Sequence, residues 1–368
     1  MKITFRLVFI IISACLFTGC KQKDQQTAVE DEIMHCMKHY GVPSVSVAVI
    51  HKGKIAWAKA YGMADEASQR MADTNTIYQV ASMSKSVNAF CIMRLLQDGR
   101  LSLDADIRQQ LHSWTFPDNA LSKNIPITIR NLLSHTAGLS VHGFRGYLRS
   151  EMIPTINEIL DSTPPSNSGK VQAILKPGTK VEYSGGGTLI TKKILQDNIA
   201  ANYDSLLTVM VLHPLEMNNS TFLQPLNAAW TNFATAYDEH RNEIPGKNFI
   251  YPEQAPDGLW TTATDYAQFI IAIQHSLAGE PSAVLNKQTV TTMLTPVLEN
   301  SALGFFITSE GAQKYFGHGG SNNGFKSEFK ASFSGGDGVV VLTNSDNGGK
   351  LCREIIEKVA TVYQWKNH

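Results

Sequence analysis

The stretch from Ile77 to Ser86 carries a serine and a lysine three residues apart, Ser82 and Lys85. Apolar residues then recur at the spacing of one helix face, at Val87, Phe90, Cys91 and Leu95. We therefore predict that Ser82 lies at a helix N-terminus, with Lys85 one turn later on the same face. A serine hydroxyl is a poor nucleophile until a base takes its proton, and a lysine can be that base only if its pKa falls from about 10.4. The pair is suited to acyl transfer, and the helix N-terminus would favour an oxyanion.

A second serine and lysine with the same spacing, Ser327 and Lys330, provide an internal control. Apolar and polar residues alternate from Phe325 to Phe333, which is typical of a strand. Side chains three apart on a strand point to opposite faces. We therefore predict a structural role for this copy, and Ser82 needs support from elsewhere in the chain.

Two further stretches carry side chains that could join the same site. Tyr183 lies between the turn at 177–179 and the glycine run at 185–187, where a loop could bring its phenol oxygen close to another group and let it relay a proton. His318 lies in the glycine-rich stretch 316–324, and glycines beside a strand often mark the close approach of a ligand or backbone. Taken singly, Tyr183 would be interpreted as a packed aromatic residue and His318 as an exposed histidine on a loop.

Strand patterns occur at both ends of the chain, and helical patterns occur between them. Alternation predicts a β-hairpin and then four further strands, at 44–49, 55–61, 303–307, 314–316, 325–333 and 339–343. Helices are predicted near the two ends, at 30–40 and 351–363.

These elements predict an α+β fold in which one antiparallel sheet is flanked by N- and C-terminal helices and carries an inserted, mainly helical lobe. The domain covers 29–368. We place the sheet lobe at about 29–80 and 296–368 and the helical lobe at about 81–295, with a site in the cleft between them.

The composition is that of an ordinary globular protein. The 368 residues are 43% hydrophobic and 17% charged, and the net charge is zero. This balance gives no electrostatic footprint for nucleic acid, so we predict no nucleic-acid partner. A small-molecule or peptide substrate is the expected partner.

The N-terminal residues predict export and a lipid anchor. Basic residues precede an apolar run at 7–16, which is too short to span a bilayer and also hold a cleavage site. The residues before Cys20 resemble the lipobox of bacterial lipoproteins, which implies acylation of the Cys20 sulfur. We predict a lipoprotein signal peptide at 1–20 and a tether at 21–28. The predicted location is the bacterial cell envelope, where lipid would anchor the protein facing the periplasm or on the outer surface. A plain signal peptide cut nearby is the alternative.

Three cysteines remain after the signal, Cys36, Cys91 and Cys352. An odd number implies no complete disulfide framework. Cys91 lies on an apolar helix face and is interpreted as a core residue, while a bridge between Cys36 and Cys352 stays open.

Three stretches of the sequence, those that carry Ser82 with Lys85, Tyr183 and His318, together resemble motifs of the serine β-lactamase and penicillin-binding-protein superfamily. The signature of that superfamily combines S-x-x-K with S-D-N and K-T-G. Within this superfamily, the chain resembles the group of class C β-lactamases, D-alanyl-D-alanine carboxypeptidases and related esterases. In that group the motif that corresponds to S-D-N begins with Tyr, and the one that corresponds to K-T-G can read H-x-G. The resemblance runs from about residue 30 to the C-terminus. Further matching stretches lie at 99–104, 127–139, 214–217 and 258–265.

The resemblance implies a role for each of the chemical residues. Ser82 would be the acylated nucleophile and Lys85 its proton partner. Tyr183 would pass protons to the leaving group and from the deacylating water. His135, within a matching stretch, would organise a loop. No metal or organic cofactor is implied.

Substrate contacts are implied in the glycine-rich stretch. His318 would occupy the position of the K-T-G lysine, with Gly320 beside it, and the backbone N–H groups of Ser82 and Ser321 would form the oxyanion hole. Gly185 stands where relatives that process lactams and peptides carry Asn or Ser. A histidine with a pKa near 6.5 offers a weaker and pH-dependent charge for a substrate carboxylate, so we expect poor β-lactam hydrolysis.

We expect a cell-envelope serine hydrolase that acts on an ester or amide, such as a D-amino-acid peptide of the peptidoglycan type or a small acyl ester. A β-lactamase proper and a penicillin- or peptidoglycan-binding receptor without turnover are the alternatives. His35 and His39 have zinc-ligand spacing, but Cys36 stands where the general-base Glu would be, so a solvated helix face is preferred. An α/β-hydrolase is disfavoured because no G-x-S-x-G surrounds any serine.

Overall fold

The computed structural model describes residues 23–199 and 201–365, and within them an antiparallel sheet of seven strands forms the centre. Its strands lie in the order β3-β2-β1-β9-β8-β7-β6, and β4 and β5 form a separate pair. Both ends of the chain therefore contribute to one sheet, which confirms the predicted fold class. The strands are β1 (Ser44–His51), β2 (Lys54–Asp65), β3 (Arg70–Met71), β4 (Tyr78–Gln79), β5 (Trp260–Thr261), β6 (Phe306–Glu310), β7 (Gln313–Asn322), β8 (Phe325–Ser332) and β9 (Gly338–Thr343).

Helices cover both faces of the sheet because the strand sequences alternate. Val45, Val47 and Val49 of β1 pack into one apolar cluster, whereas Ala48 and Ile50 pack into another. The first cluster is closed by helices α1 and α9, and the second by the helical lobe. The helices are α1 (23–40), α2 (Ser84–Gln97), α3 (Ile129–Leu133), α4 (Ile156–Asp161), α5 (Gly185–Asn198), α6 (Tyr203–Leu207), α7 (Ala263–Ala278), α8 (Lys287–Leu294) and α9 (Gly348–Val362).

The lobe inserted between β4 and β6 contains helices α2 to α8. Long irregular segments join these helices, and the longest lies at 213–259 between α6 and β5. Such segments are the parts of a fold that commonly carry binding and catalytic groups.

Helix α1 begins earlier than predicted, at residue 23 rather than 30. Residues 23–28, which we predicted as part of the tether, are its first turns. The side chain of Gln25 donates to the carbonyl of Val362 in α9 at 3.1 Å, and Val29 is fully buried. Packing against α9 therefore provides the partner surface that a short polar segment needs to remain helical.

The glycine-rich stretch is more regular than predicted. Strand β7 continues from Gln313 to Asn322, through His318 and its glycines, where we predicted a strand only at 314–316. In contrast, Leu303 to Phe305 lie before β6 rather than in it. The continuous pairing of β7 with β8 from Tyr315 to Asn322 accounts for the extension.

The cysteines at 36, 91 and 352 are free and buried, so the bridge that we left open between Cys36 and Cys352 is not formed. The thiol of Cys36 donates to Glu354 at 3.2 Å, and Glu32 also lies within reach. Burial and these carboxylates raise the pKa of Cys36 to about 12, which keeps it a hydrogen-bond donor between α1 and α9. Within the described residues, no third ligand group lies close enough to join His35 and His39.

The predicted signal peptide and the lipid-anchor residue Cys20 lie outside the described residues. In the part that is described, none of the helices combines the length and apolar character that crossing a bilayer requires.

Candidate active site

A short helical turn, Ala81–Met83, precedes α2 and presents Ser82. Ala81 has a φ of 48°, which is a left-handed conformation that alanine adopts only under constraint from its surroundings. Two hydrogen bonds supply that constraint: Ser84 Oγ donates to the carbonyl of Ala81 at 2.6 Å, and Tyr266 donates to the carbonyl of Met83 at 3.0 Å. Ser82 therefore stands on a turn held from both sides.

Lys85 lies beneath this turn, with only 2% of its side chain exposed. Its Nζ donates to Ser82 Oγ at 2.9 Å, to the carbonyl of Pro256 at 2.9 Å and to Asp257 Oδ1 at 3.3 Å. An ammonium group has three hydrogens, so these three acceptors satisfy it.

Asp257 is a site residue that the sequence reasoning missed. Ser82 Oγ donates to Asp257 Oδ1 at 3.0 Å, so the carboxylate contacts both Ser82 and Lys85. The residue stands immediately before the matching stretch that begins at Gly258, but nothing in its local pattern separates it from a surface aspartate. Only the folded chain brings it to the helix that carries Ser82.

The protonation of Lys85 differs from the condition that we set for a general base. Burial lowers its pKa, but Asp257 and Tyr183 act in the opposite direction, and the net result is a raised pKa. Lys85 is therefore an ammonium ion at neutral pH in the resting site. It can donate hydrogen bonds to Ser82 but has no lone pair with which to accept a proton.

Tyr183 is brought to the site by His135. The N–H groups of Glu182 and Ser184 donate to the carbonyl and to Nδ1 of His135, at 2.7 and 3.2 Å. The rings of Tyr183 and His135 lie 4.2 Å apart, and Lys85 Nζ lies 5.1 Å from the centre of the phenol ring. Burial and the Lys85 charge hold the pKa of His135 well below its usual value, so its neutral ring can accept the bond from Ser184. His135 therefore organises the loop that carries Tyr183, which is the role that the resemblance implied.

His318 lies on β7 beside this group, with its ring 6.1 Å from that of Tyr183. Burial, followed by the charge of Lys85, lowers its pKa to about 3. The pH-dependent charge that we expected for a substrate carboxylate is therefore absent at neutral pH. The reason is that burial removes the solvent that would stabilise an imidazolium ion.

Strand β7 approaches the Ser82 turn closely because Gly320 has no side chain. A Cβ at this position would lie 2.2 Å from the carbonyl oxygen of Val80 and 2.3 Å from Ser327 Oγ. Ser327 donates to that same carbonyl at 2.9 Å, while Lys330 pairs with Glu310. The second S-x-x-K copy thus has its two side chains on opposite faces, and its serine supports the turn that carries Ser82.

The register of β7 indicates where the N–H of Ser321 points. Asn322 pairs with Phe325 across a two-residue turn, and Ser321 pairs with Lys326. Antiparallel pairs alternate between hydrogen-bonded and non-bonded types, so the N–H of Ser321 is directed away from β8. Strand β6 extends along β7 only to Gly317, which leaves this N–H on an open edge of the sheet.

One cleft of about 860 Å³ is lined by five of the predicted site residues, Ser82, Tyr183, His318, Gly320 and Ser321. The sixth, Lys85, is buried beneath Ser82. Phe144, His142 and Phe306 add aromatic walls near Tyr183. A Cβ at Gly185 would lie 3.0 Å from the Phe144 ring, so this ring occupies the space that a larger residue would use. Charged residues of β8 and α9, namely Lys326, Glu328 and Arg353, line another part of the cleft.

Two buried lysines hold the loop that supplies Asp257. Lys192 of α5 donates to the carbonyl of Pro252 at 2.8 Å, as Lys85 does to that of Pro256. Burial lowers the pKa of Lys192 to about 7 and raises that of the neighbouring Glu253 to about 8. The helical lobe therefore fixes this loop from two helices.

The chain is similar to known proteins along most of its length. The family described as beta-lactamase matches residues 29–361. Protein flp of Staphylococcus aureus (strain MW2) is 25% identical over 330 residues, which represent 87% of this chain and 63% of that protein. The chain thus spans less than two thirds of the length of this curated relative.

Two solved structures share the fold. D-amino acid amidase from Ochrobactrum anthropi SV3, complexed with L-phenylalanine, has a TM-score of 0.75 at 22% identity, covering 94% of this chain and 100% of that chain. EstCE1, described as a hydrolase with promiscuous acyltransferase activity, has a TM-score of 0.77 at 20% identity, covering 93% and 99%.

Two neighbouring glycines of β7 test the close approach of the sheet to the Ser82 turn. Gly320→Ala should cost about 1–3 kcal/mol of unfolding free energy, because its methyl group would overlap the backbone of Val80. Gly319→Ala is the matched control: its nearest contact would be the Ser327 carbonyl at 3.8 Å, so the change should stay within about 0.5 kcal/mol. Urea unfolding of both variants measures the difference, and equal losses would contradict this packing.

Proposed function

Because the chain belongs to the beta-lactamase family, we propose that it is a serine hydrolase that attacks ester or amide carbonyls and forms an acyl-enzyme on Ser82. The hydroxyl of Ser82 at the cleft, bonded to the Lys85 ammonium at 2.9 Å, is the observation that carries the proposal. Of the two similar structures, one is named as an amidase and the other as a hydrolase, which supports the same reaction type.

The roles follow from the charges around Ser82. The Lys85 ammonium and the backbone N–H of Ser321 stabilise negative charge as the carbonyl is attacked, together with the N–H of Ser82. Tyr183 stands over Lys85 and supplies a proton to the leaving group. Water then hydrolyses the acyl-enzyme, and the Tyr183 phenol transfers the proton that this water loses.

The substrate is best described as a neutral or ammonium-bearing ester or amide with an apolar acyl group. The Asp257 carboxylate neutralises the Lys85 ammonium beside Ser82, and neutral His318 offers no positive charge to a substrate carboxylate. Aromatic side chains form the adjacent wall. A D-amino-acid amide, as in the name of the similar amidase, meets this description better than a β-lactam or a peptide with a free C-terminal carboxylate near the reacting carbonyl.

A chemical label tests the nucleophile. A fluorophosphonate probe should modify the wild-type protein on the peptide that contains Ser82, and Ser82→Ala should abolish labelling. Ser86→Ala is the matched control, because its buried hydroxyl bonds the carbonyl of Gly304 at 2.7 Å and faces no substrate. Labelling that persists in Ser82→Ala would remove Ser82 from the mechanism. Labelling without steady-state ester turnover would instead favour the alternative function, a penicillin- or peptidoglycan-binding receptor without turnover.

A pair of esters with one leaving group tests the proposed substrate charge. p-Nitrophenyl butyrate and mono-p-nitrophenyl succinate have acyl chains of similar length, but only the succinate carries a terminal carboxylate. We expect kcat/KM to be at least roughly tenfold higher for the butyrate, which corresponds to about 1.4 kcal/mol. A preference for the succinate would contradict the proposal that the groups around Ser82 offer no net positive charge to a substrate carboxylate.

We also propose that the protein is held in the cell envelope through lipid on Cys20. The support is the N-terminal sequence, in which an apolar run and small residues precede this cysteine. Mass spectrometry of protein extracted from membranes should find a mature N-terminus at an acylated Cys20, and Cys20→Ala should release the protein from the membrane fraction. An unmodified, soluble mature protein would reject the anchor.

A further inference from the structure

The hydroxyl of Ser82 has two hydrogen-bond partners among the described residues, and they differ in kind. Lys85 Nζ lies 2.9 Å away and donates, whereas Asp257 Oδ1 lies 3.0 Å away and accepts. A hydroxyl has a single hydrogen, so this hydrogen points at the carboxylate. The resting site therefore already directs the proton of Ser82 toward Asp257.

Lys85 is not available as the acceptor in this arrangement. Its three hydrogens are directed at Ser82 Oγ, at the carbonyl of Pro256 and at Asp257 Oδ1. Accepting a proton from Ser82 would first require it to lose one of these hydrogens, and the adjacent carboxylate opposes that loss.

The carboxylate is held in place by its own loop and by β7. The N–H of Asp257 donates to the carbonyl of Gln254 at 3.2 Å, and Asn322 Nδ2 donates to the carbonyl of Asp257 at 3.1 Å. The side chain is 5% exposed, and Oδ2 is buried without a hydrogen-bond partner. One carboxylate oxygen thus contacts the reacting hydroxyl while the other has unused capacity to accept a hydrogen bond.

We propose that Asp257 is a catalytic residue that accepts the hydroxyl proton of Ser82 as the acyl-enzyme forms, an inference that rests on the proposed function. The bond from Ser82 Oγ to the carbonyl carbon forms, the proton passes to Asp257, and the carbonyl electron pair moves to oxygen. On collapse, the leaving group departs with its bonding pair and takes a proton from Tyr183. Lys85 returns a proton to Tyr183 and regains one from Asp257, so no proton is gained or lost.

This assignment changes the part that Lys85 performs. It is an ammonium ion while Ser82 attacks and stabilises the developing charge, and it later transfers a proton from Asp257 to Tyr183, rather than acting as the first base. Asp257 and Lys85 form a 3.3 Å ion pair, which provides a direct path for the returning proton.

Fluorophosphonate labelling isolates this first proton transfer, because fluoride leaves without needing a proton. The bond from Ser82 Oγ to phosphorus forms, the phosphorus–fluorine bond breaks with its electron pair, and only the Ser82 proton requires an acceptor. We expect Asp257→Asn to lower the second-order labelling rate by about 10²–10⁴-fold, the usual range for a general base.

Asp265→Asn is the matched control for replacing a buried carboxylate. Asp265 accepts hydrogen bonds from Asn219 and Ser220 away from the cleft, so its loss should leave the labelling rate and its pH profile unchanged. Asp257→Asn overturns the proposal if it labels as fast as wild type. It also does so if it labels faster at lower pH, as expected if Lys85 is the base and Asp257 only keeps it charged.

Formate provides a second test that does not depend on the folding of the Asn variant. The Asp257→Ala variant removes the carboxylate and leaves space beside Ser82, and added formate should restore labelling at least roughly tenfold if a carboxylate is the proton acceptor. Failure of formate to restore labelling in an Asp257→Ala protein that unfolds cooperatively would overturn the proposal. Failure of the proposed function is recognised separately, because the wild-type protein would then not be labelled at Ser82.

Discussion

The ion pair between Lys85 and Asp257 is the interaction on which the site depends. Both side chains are almost completely withdrawn from solvent, and such a pair is maintained only when hydrogen bonds satisfy the remaining donors. Removing one partner of a buried pair typically costs about 3–5 kcal/mol, because the other charge is left without compensation. Here the Lys85 ammonium donates its other two hydrogens to Ser82 Oγ and to the Pro256 carbonyl. The ammonium therefore joins the α2 helix to a loop more than 170 positions away in the chain.

Contacts with the sheet also fix the position of Ser82. Ser327 of β8 holds the carbonyl of Val80, and Gly320 of β7 allows the two backbones to approach. The turn that presents Ser82 is thus positioned by the sheet, while Lys85 and Asp257 belong to the helical lobe. A cleft between two lobes becomes a site because residues of both meet at one hydroxyl.

The charges around this hydroxyl explain why family membership does not by itself identify the substrate. The fold and the Ser82, Lys85 and Tyr183 arrangement are compatible with several acyl-transfer reactions. Burial removes the charge of His318, Asp257 neutralises that of Lys85, and Phe144 fills the space beside Gly185. In the proposed mechanism, each of these features affects the recognition of the substrate without displacing Ser82.

Short-range pattern in the sequence predicted the β-hairpin, the N-terminal position of Ser82 on its helix and the opposite faces of Ser327 and Lys330, because alternation and helical spacing are local properties. The motifs also predicted the family, which is confirmed by the match over residues 29–361. Asp257 could not be predicted, nor could the raised pKa of Lys85 and the lowered pKa of His318. These depend on burial and on partners distant in the chain, and only the folded structure determines which groups lose their solvent and which charges they meet there.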